Sequence, residues 1–358
     1  MPTDPKYTLV FDWGNTLMKV FPQYTGPMAA WPEVREIEGV IEALEKLAGR
    51  HTMVAATNAG DSDAPQVWKA LRRAGMGEYF KAVFTSKELG SRKPETVFFR
   101  QIESVLALPP HRVVMIGDDY KSDVLGAKAA GWRAIWYNPS GQDAPGGIPL
   151  QDGETASMAD LPAALERMTL PDYSACLGWL EEQGTSFNIM AHMQLTAAAA
   201  YLMGVWLRKK GVSVDPVLAH RGGLLHDLGK MESIRSSRER GVLGDHAALA
   251  REILSARGQP ELAEIAGRHM LCPDPASPRF PRSWEEKLVH FADKLVEDNR
   301  LVSLEERLEA LKTRYPAFAQ EIAASLPALT ALEQEICGHL EIAPGELVQR
   351  LNAALGYR

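Results

Sequence analysis

The sequence predicts an α/β doubly wound parallel sheet followed by an all-α helical domain, and three observations carry that prediction. Short apolar, β-branched runs alternate with helical patterns through the first half. From Tyr173 onward strand signals vanish and helical periodicity remains. At 358 residues the chain exceeds one ordinary core, so two domains are expected, residues 1–170 and 171–358.

In chain order, Tyr7 to Phe11 is an apolar run that closes on Asp12, the place where open α/β sheets keep their chemistry. A helical pattern over Val40–Leu47 leads to a second run, Thr52–Ala56, closing on Thr57 and Asn58. A helix around Val67–Ala74 precedes a third strand, Ala82–Phe84, and then Ser91-Arg92-Lys93-Pro94. A fourth strand, Arg112–Ile116, ends in Gly117-Asp118-Asp119-Tyr120-Lys121-Ser122-Asp123. Residues 141–153, rich in Gly, Pro and Asp, read as a surface loop, and a helix from Met158 closes the first domain. In the second half, helices are expected over Ser174–Gln183, His192–Lys210, Pro216–Lys230, His246–Ala256, Pro260–Met270, Ser283–Leu311, Tyr315–Ala328 and, with breaks, Glu333–Gly356.

Composition narrows the function. Hydrophobic residues make up 46% and charged residues 24%, a globular balance. The net charge of -7, without a basic block, argues against a dedicated nucleic-acid surface. No apolar stretch reaches membrane-spanning length, and the polar N-terminus lacks the pattern of a signal peptide. Three widely spaced cysteines form neither a disulfide framework nor a zinc ribbon, so a reducing cytoplasm is expected.

The first half, over about residues 7–168, resembles the haloacid dehalogenase superfamily of aspartate-nucleophile phosphohydrolases. Four motifs fall in order, and the resemblance implies a role for each: Asp12 as nucleophile, Thr57 with Asn58 as phosphate-binding, Lys93 as the phosphate-neutralising lysine, and Asp118 and Asp123, with Asp12, as the magnesium site. One position departs. Relatives that hydrolyse phosphoesters carry an aspartate as general acid and base two residues after the nucleophile, where this chain has Gly14. A positioned acid or base is worth about 10²–10⁴-fold in rate, so weak activity or a binding-only role is expected for this half. Phosphonate-cleaving relatives also lack that aspartate but use a cap lysine, and residues 18–50 and 59–92 look too short for a sizeable cap.

Seven of the nine histidines lie in the second half. Leu224-Leu225-His226-Asp227-Leu228-Gly229-Lys230 sets a nitrogen and an oxygen ligand side by side, and the flanking helices offer His192, His246, His269 and Asp293. That order, over about residues 188–315, resembles the HD superfamily of metal-dependent phosphohydrolases. The resemblance implies one metal on His192, His226, Asp227 and Asp293, and a second on His246 and His269 with Asp227 bridging; a one-metal site needs neither of the last two histidines. Imidazole and carboxylate ligands suit Mn²⁺, Fe²⁺, Co²⁺, Ni²⁺ or Zn²⁺. Lys230, one turn beyond the His-Asp pair, meets a substrate phosphate, pairs with Asp227, or is a solvated surface lysine. His290, three residues before Asp293, is either a partner of the ligands or merely packed.

The expected activity is hydrolysis of a phosphomonoester or phosphodiester in a nucleotide-like small molecule, with Asp227 and Lys230 central. The competing expectations are a non-catalytic metal- or nucleotide-binding regulatory protein, or a phosphatase of the first half with the helical half as accessory.

Overall fold

The computed structural model describes residues 7–240 and 245–356. The chain divides into two compact units: one holds the residues up to Ser140 together with Leu150–Met168, the other Gly141–Pro149 together with the residues from Thr169 onward.

The first unit is built on six parallel strands, β1 (Thr8–Phe11), β2 (Thr52–Thr57), β3 (Val83–Thr85), β4 (Val113–Gly117), β5 (Arg133–Tyr137) and β6 (Gly153–Thr155), in the order β3-β2-β1-β4-β5-β6. Both faces of a parallel sheet are covered, which is why β1 and β4 are buried at every position and, Thr8 apart, carry no polar side chain. Strand order reverses at β1, so the carboxyl ends of β1, β2 and β4 open onto one crevice. Helices α1 (Val40–Leu47), α2 (Ala64–Arg73), α3 (Ser86–Leu89), α4 (Thr96–Leu106), α5 (Gly126–Ala129) and α6 (Leu161–Glu166) connect the strands. A capping box at Asp63, reciprocated by Gln66, starts α2. No cap domain is inserted among the described residues. The segment after β1 holds a single 3-10 turn, Met28–Ala30, and Arg73 on α2 ties it down through the carbonyls of Ala29 and Trp31, both at 2.9 Å.

Two features of this unit differ from the sequence expectation. The fifth and sixth strands were not anticipated, and residues 141–153 are not one loop: 141–149 go with the second unit, while 153–155 form the edge strand β6. Within the second unit, buried Arg221 accounts for part of this by donating to Pro149 O at 3.0 Å.

The second unit is helical: α7 (Tyr173–Glu182), α8 (Phe187–Lys209), α9 (Pro216–Leu225), α10 (Lys230–Arg240), α11 (His246–Ala256), α12 (Pro260–Gly267), α13 (Trp284–Asp293), α14 (Leu304–Arg314), α15 (Ala319–Ala324), α16 (Leu326–Leu340) and α17 (Pro344–Leu355). The long α8 is buried from His192 almost to its end and packs on α9 and α13. Three expected helices are broken, among them the one over residues 315–328, which divides at Ser325 into α15 and α16. The one from Pro216 stops at Leu225, leaving His226–Gly229 as a turn, and the one from Ser283 stops at Asp293. After Asp293 a two-stranded hairpin intervenes, β7 (Val296–Glu297) with β8 (Arg300–Leu301), its turn made by Asp298 at a positive φ of 54°. No described helix is long and apolar enough to cross a membrane.

Candidate metal and phosphate sites

At the crevice of the first unit, Asp12, Asp118 and Asp123 bring carboxylate oxygens within 4.8 Å of one another. Lys93, almost fully buried, donates from Nζ to Asp12 Oδ1 (2.5 Å), Asp123 Oδ1 (2.6 Å) and Ala56 O (3.2 Å). Burial alone would lower the pKa of Lys93, but the charges of Asp12 and Asp123 raise it above the ordinary lysine value. Burial, with repulsion from Asp12, pushes Asp118 up to about 6. It pushes Asp123 up to about 7 against the pull of Lys93. An oxygen-only donor set whose charges repel one another fits a hard divalent cation.

The local sequence explains the geometry. A Cβ at Gly117 would fall 2.1 Å from Asp123 Oδ2, so only glycine lets that carboxylate lie against the end of β4. Thr16, unnoticed in the sequence, donates to Asp118 Oδ1 (3.0 Å) and accepts from Asp118 N (3.1 Å). Asn58, expected on phosphate, instead spends both ends of its amide on Lys93, accepting from its N and donating to its O, each at 2.9 Å. It therefore orients the lysine. Thr57 is buried at the end of β2, its hydroxyl accepting from Ala59 N at 3.0 Å.

In the helical unit, all six expected residues converge, and they do so at helix ends. His192 is in the first turns of α8, His226 and Asp227 follow α9, His246 opens α11 under the Asp245 cap, His269 follows α12, and Asp293 closes α13. His192 Nε2 lies 2.9 Å from Asp293 Oδ1, and His226 Nε2 lies 3.7 Å from the same oxygen and 3.6 Å from Asp227 Oδ2. Asp227 Oδ1 faces His246 Nε2 (3.2 Å) and His269 Nε2 (3.4 Å). The two carboxylate oxygens of Asp227 thus face different histidines.

The imidazoles are oriented from behind. His226 Nδ1 meets Gly223 O at 2.7 Å and His269 Nδ1 meets Ala266 O at 2.6 Å. A carbonyl only accepts, so each Nδ1 carries the hydrogen and each Nε2 turns a lone pair into the site. Burial, opposed by the nearby carboxylates, lowers His226 to about 3, so its ring is neutral. His226 Nε2 and Asp227 Oδ1 are buried without a hydrogen-bond partner. Lone pairs aimed at one another, with orphaned polar atoms between them, fit a divalent cation of the imidazole-seeking kind.

Cations already brace both carboxylates. Lys230 Nζ is 2.5 Å from Asp227 Oδ2, so of the three roles open to Lys230 the ion pair is the one found. Buried Lys294 pairs with Asp293 and donates to His269 O at 3.0 Å. These partners overcome burial and hold both Asp227 and Asp293 well below the usual carboxylate range. His290 is buried, lies 3.2 Å from Arg268 O through Nδ1, and is lowered by burial to about 3. It is packed, and its own contact reaches Arg268 rather than a ligand.

Two family models match the chain: haloacid dehalogenase-like hydrolase over residues 14–131 and HD domain over residues 189–298. The first begins just past Asp12; the second spans all six converging residues. Pyrimidine 5'-nucleotidase PynA of Streptococcus pneumoniae is 33% identical over 105 residues, covering 29% of this chain and 43% of that protein. An uncharacterized protein of Methanocaldococcus jannaschii is 31% identical over 140 residues, covering 36% of this chain and 78% of its own. A solved structure from Listeria monocytogenes, of an uncharacterized protein, aligns with 45% of this chain and 98% of its own at 26% identity and a TM-score of 0.39. The chain therefore spans less than half the length of the nucleotidase it matches.

Proposed function

This chain joins a haloacid dehalogenase-like hydrolase domain to an HD domain, and we propose that the HD half is a metal-dependent phosphohydrolase acting on a phosphomonoester or phosphodiester of a nucleotide-like small molecule. The observation that carries the reading is the convergence of four imidazoles and two carboxylates, with buried, unpartnered His226 Nε2 and Asp227 Oδ1 at its centre.

His192, His226, Asp227 and Asp293 would hold one divalent transition metal, and His246 and His269 a second, with Asp227 shared through its two oxygens. Bound there, such ions polarise a phosphoryl oxygen and lower the pKa of water. The residues do the rest. The carbonyls of Gly223 and Ala266 fix the tautomers, and Lys230, about a third exposed, is the cation placed to meet a substrate phosphate as it leaves Asp227. The likeness over 105 residues to a protein named as a pyrimidine 5'-nucleotidase supports a nucleotide-like substrate for the chain as a whole; its assignment to the helical half is our proposal. In the first half, Asp12, Asp118 and Asp123 would hold magnesium, with Thr57 and Lys93 facing phosphate. We place the domain boundary at 170, with 141–149 assigned to the helical half, and the protein in the cytoplasm, where three free, buried cysteines stay reduced.

The test is metal analysis of the purified full chain beside a panel of phosphomonoesters and phosphodiesters, with Asp227→Ala as control. The expected result is bound transition metal and turnover in the native protein, and neither in the variant. Equal turnover in both would end the assignment.

A further inference from the structure

A large aromatic side chain left in water beside a charged site needs a reason, and Tyr315 is one. Helix α14 ends at Arg314 because Pro316 follows: Tyr315, the residue before the proline, is held out of the helical conformation at φ -128° and ψ 66°, and it is 42% exposed. The end of α14 is fixed against two of the segments that bring candidate ligands together. Arg307 and Arg314 both pair with buried Glu297, just past Asp293 in the chain, and Arg307 Nη2 lies 4.0 Å from Asp293 Oδ1. Leu311, whose carbonyl accepts from Tyr315 N at 2.8 Å, packs against the same small core as Leu271, which follows His269 closely in the chain. On a third side, the Tyr315 phenol is near enough to Lys230 to act on its charge. Its hydroxyl has no hydrogen-bond partner among the described residues.

Lys230 and Tyr315 thus set an ammonium, 30% exposed, beside a flat ring that is open to water. A molecule that uses both carries an anionic phosphoryl group at one end and a flat, apolar ring at the other. A sugar phosphate would engage the ammonium and leave the phenol face wet. We propose that Tyr315 is a substrate-contacting residue of the helical half, its ring stacking on the base of a nucleoside 5'-phosphate whose phosphate lies at the metal site. The proposal rests on the phosphohydrolase reading above and names what holds the other end of that substrate. Every base has a π-face, so a single tyrosine accepts purine and pyrimidine alike and selects nucleotides against phosphorylated compounds that lack a base. A tyrosine has only two χ angles, so holding it costs little order when the base arrives. The ring, not the hydroxyl, makes the stack, so Tyr315→Phe separates it from any action of the phenol on Lys230.

The experiment uses the full chain carrying Asp12→Asn, so that the first unit contributes no turnover, in nickel chloride. Calorimetric titration compares two phosphonates in which a methylene replaces the ester oxygen, one an analogue of adenosine 5'-monophosphate and the other of ribose 5-phosphate. The adenosine compound should bind about 10-fold tighter or more; Tyr315→Ala should abolish that advantage without moving the ribose compound, and Tyr315→Phe should keep it. Turnover of adenosine and cytidine 5'-monophosphates should show the same loss in KM, with kcat unchanged. An adenosine analogue held no tighter than the ribose one, an equal loss for both in Tyr315→Ala, no loss for either, or Tyr315→Phe behaving as Tyr315→Ala would each overturn the proposal. Binding as expected without turnover of any ester would uphold the stack and count against hydrolysis alone.

Discussion

Lys294 shows how much of the candidate metal site lies outside its proposed ligands. Its ammonium joins Asp293 to the carbonyl of His269, linking two ligand-bearing segments from within the core. Lys294→Met keeps the volume but removes that link. We expect metal affinity of the helical unit to fall about 10–100-fold, read by calorimetric titration, with folding retained; an unchanged affinity would make Lys294 mere packing. In the other unit, Gly14→Asp should raise magnesium-dependent hydrolysis of phosphomonoesters by about 10²–10⁴-fold, a gain that vanishes when Asp12→Asn is added. Val20, 38% exposed, can yield the few tenths of an ångström that the new side chain requires. The candidate residues were legible in the sequence because His, Asp and Lys announce their chemistry, and the structure brings them together. Their partners were not: the bonds of Thr16, Asn58 and Lys294 join residues up to 102 apart in the chain, and no spacing rule reports such pairs.

At the scale of elements, the helical site depends on where helices stop. A continuous helix through His226 and Lys230, or through Asp293 and Leu295, would carry the ligands round its axis instead of presenting them together. The hairpin after Asp293 did leave a trace, because Asp298-Asn299 is the kind of dipeptide that accepts positive φ in a tight turn. The helical periodicity around it masked the signal. The strand β6 left almost none, being three residues long and partly polar. Gly229 tests the packing of these ends. A Cβ there would lie 2.6 Å from His246 O and 2.7 Å from Ala250 N, main-chain atoms that cannot swing aside. Gly229→Ala should therefore cost about 1–3 kcal/mol and push the start of α11 outward. Thermal unfolding would read the first effect, and a lower metal stoichiometry the second, since His246 opens that helix.

For the whole molecule, the donor sets of the two candidate centres suit different kinds of cation. Asp12, Asp118 and Asp123 offer oxygen alone, whereas the helical centre offers four imidazoles and two carboxylates. Each ion stabilises the folded chain by mass action, about 2.7 kcal/mol at a hundred times its Kd. Magnesium and nickel, added separately, should each raise the unfolding temperature. Asp227→Ala should remove most of the nickel increment and leave that of magnesium, while Asp123→Asn should do the reverse. If the centres are independent, the increments add to within about 0.5 kcal/mol when both ions are present. A single substitution that abolished both would mean that one unit needs the other's metal to hold its fold.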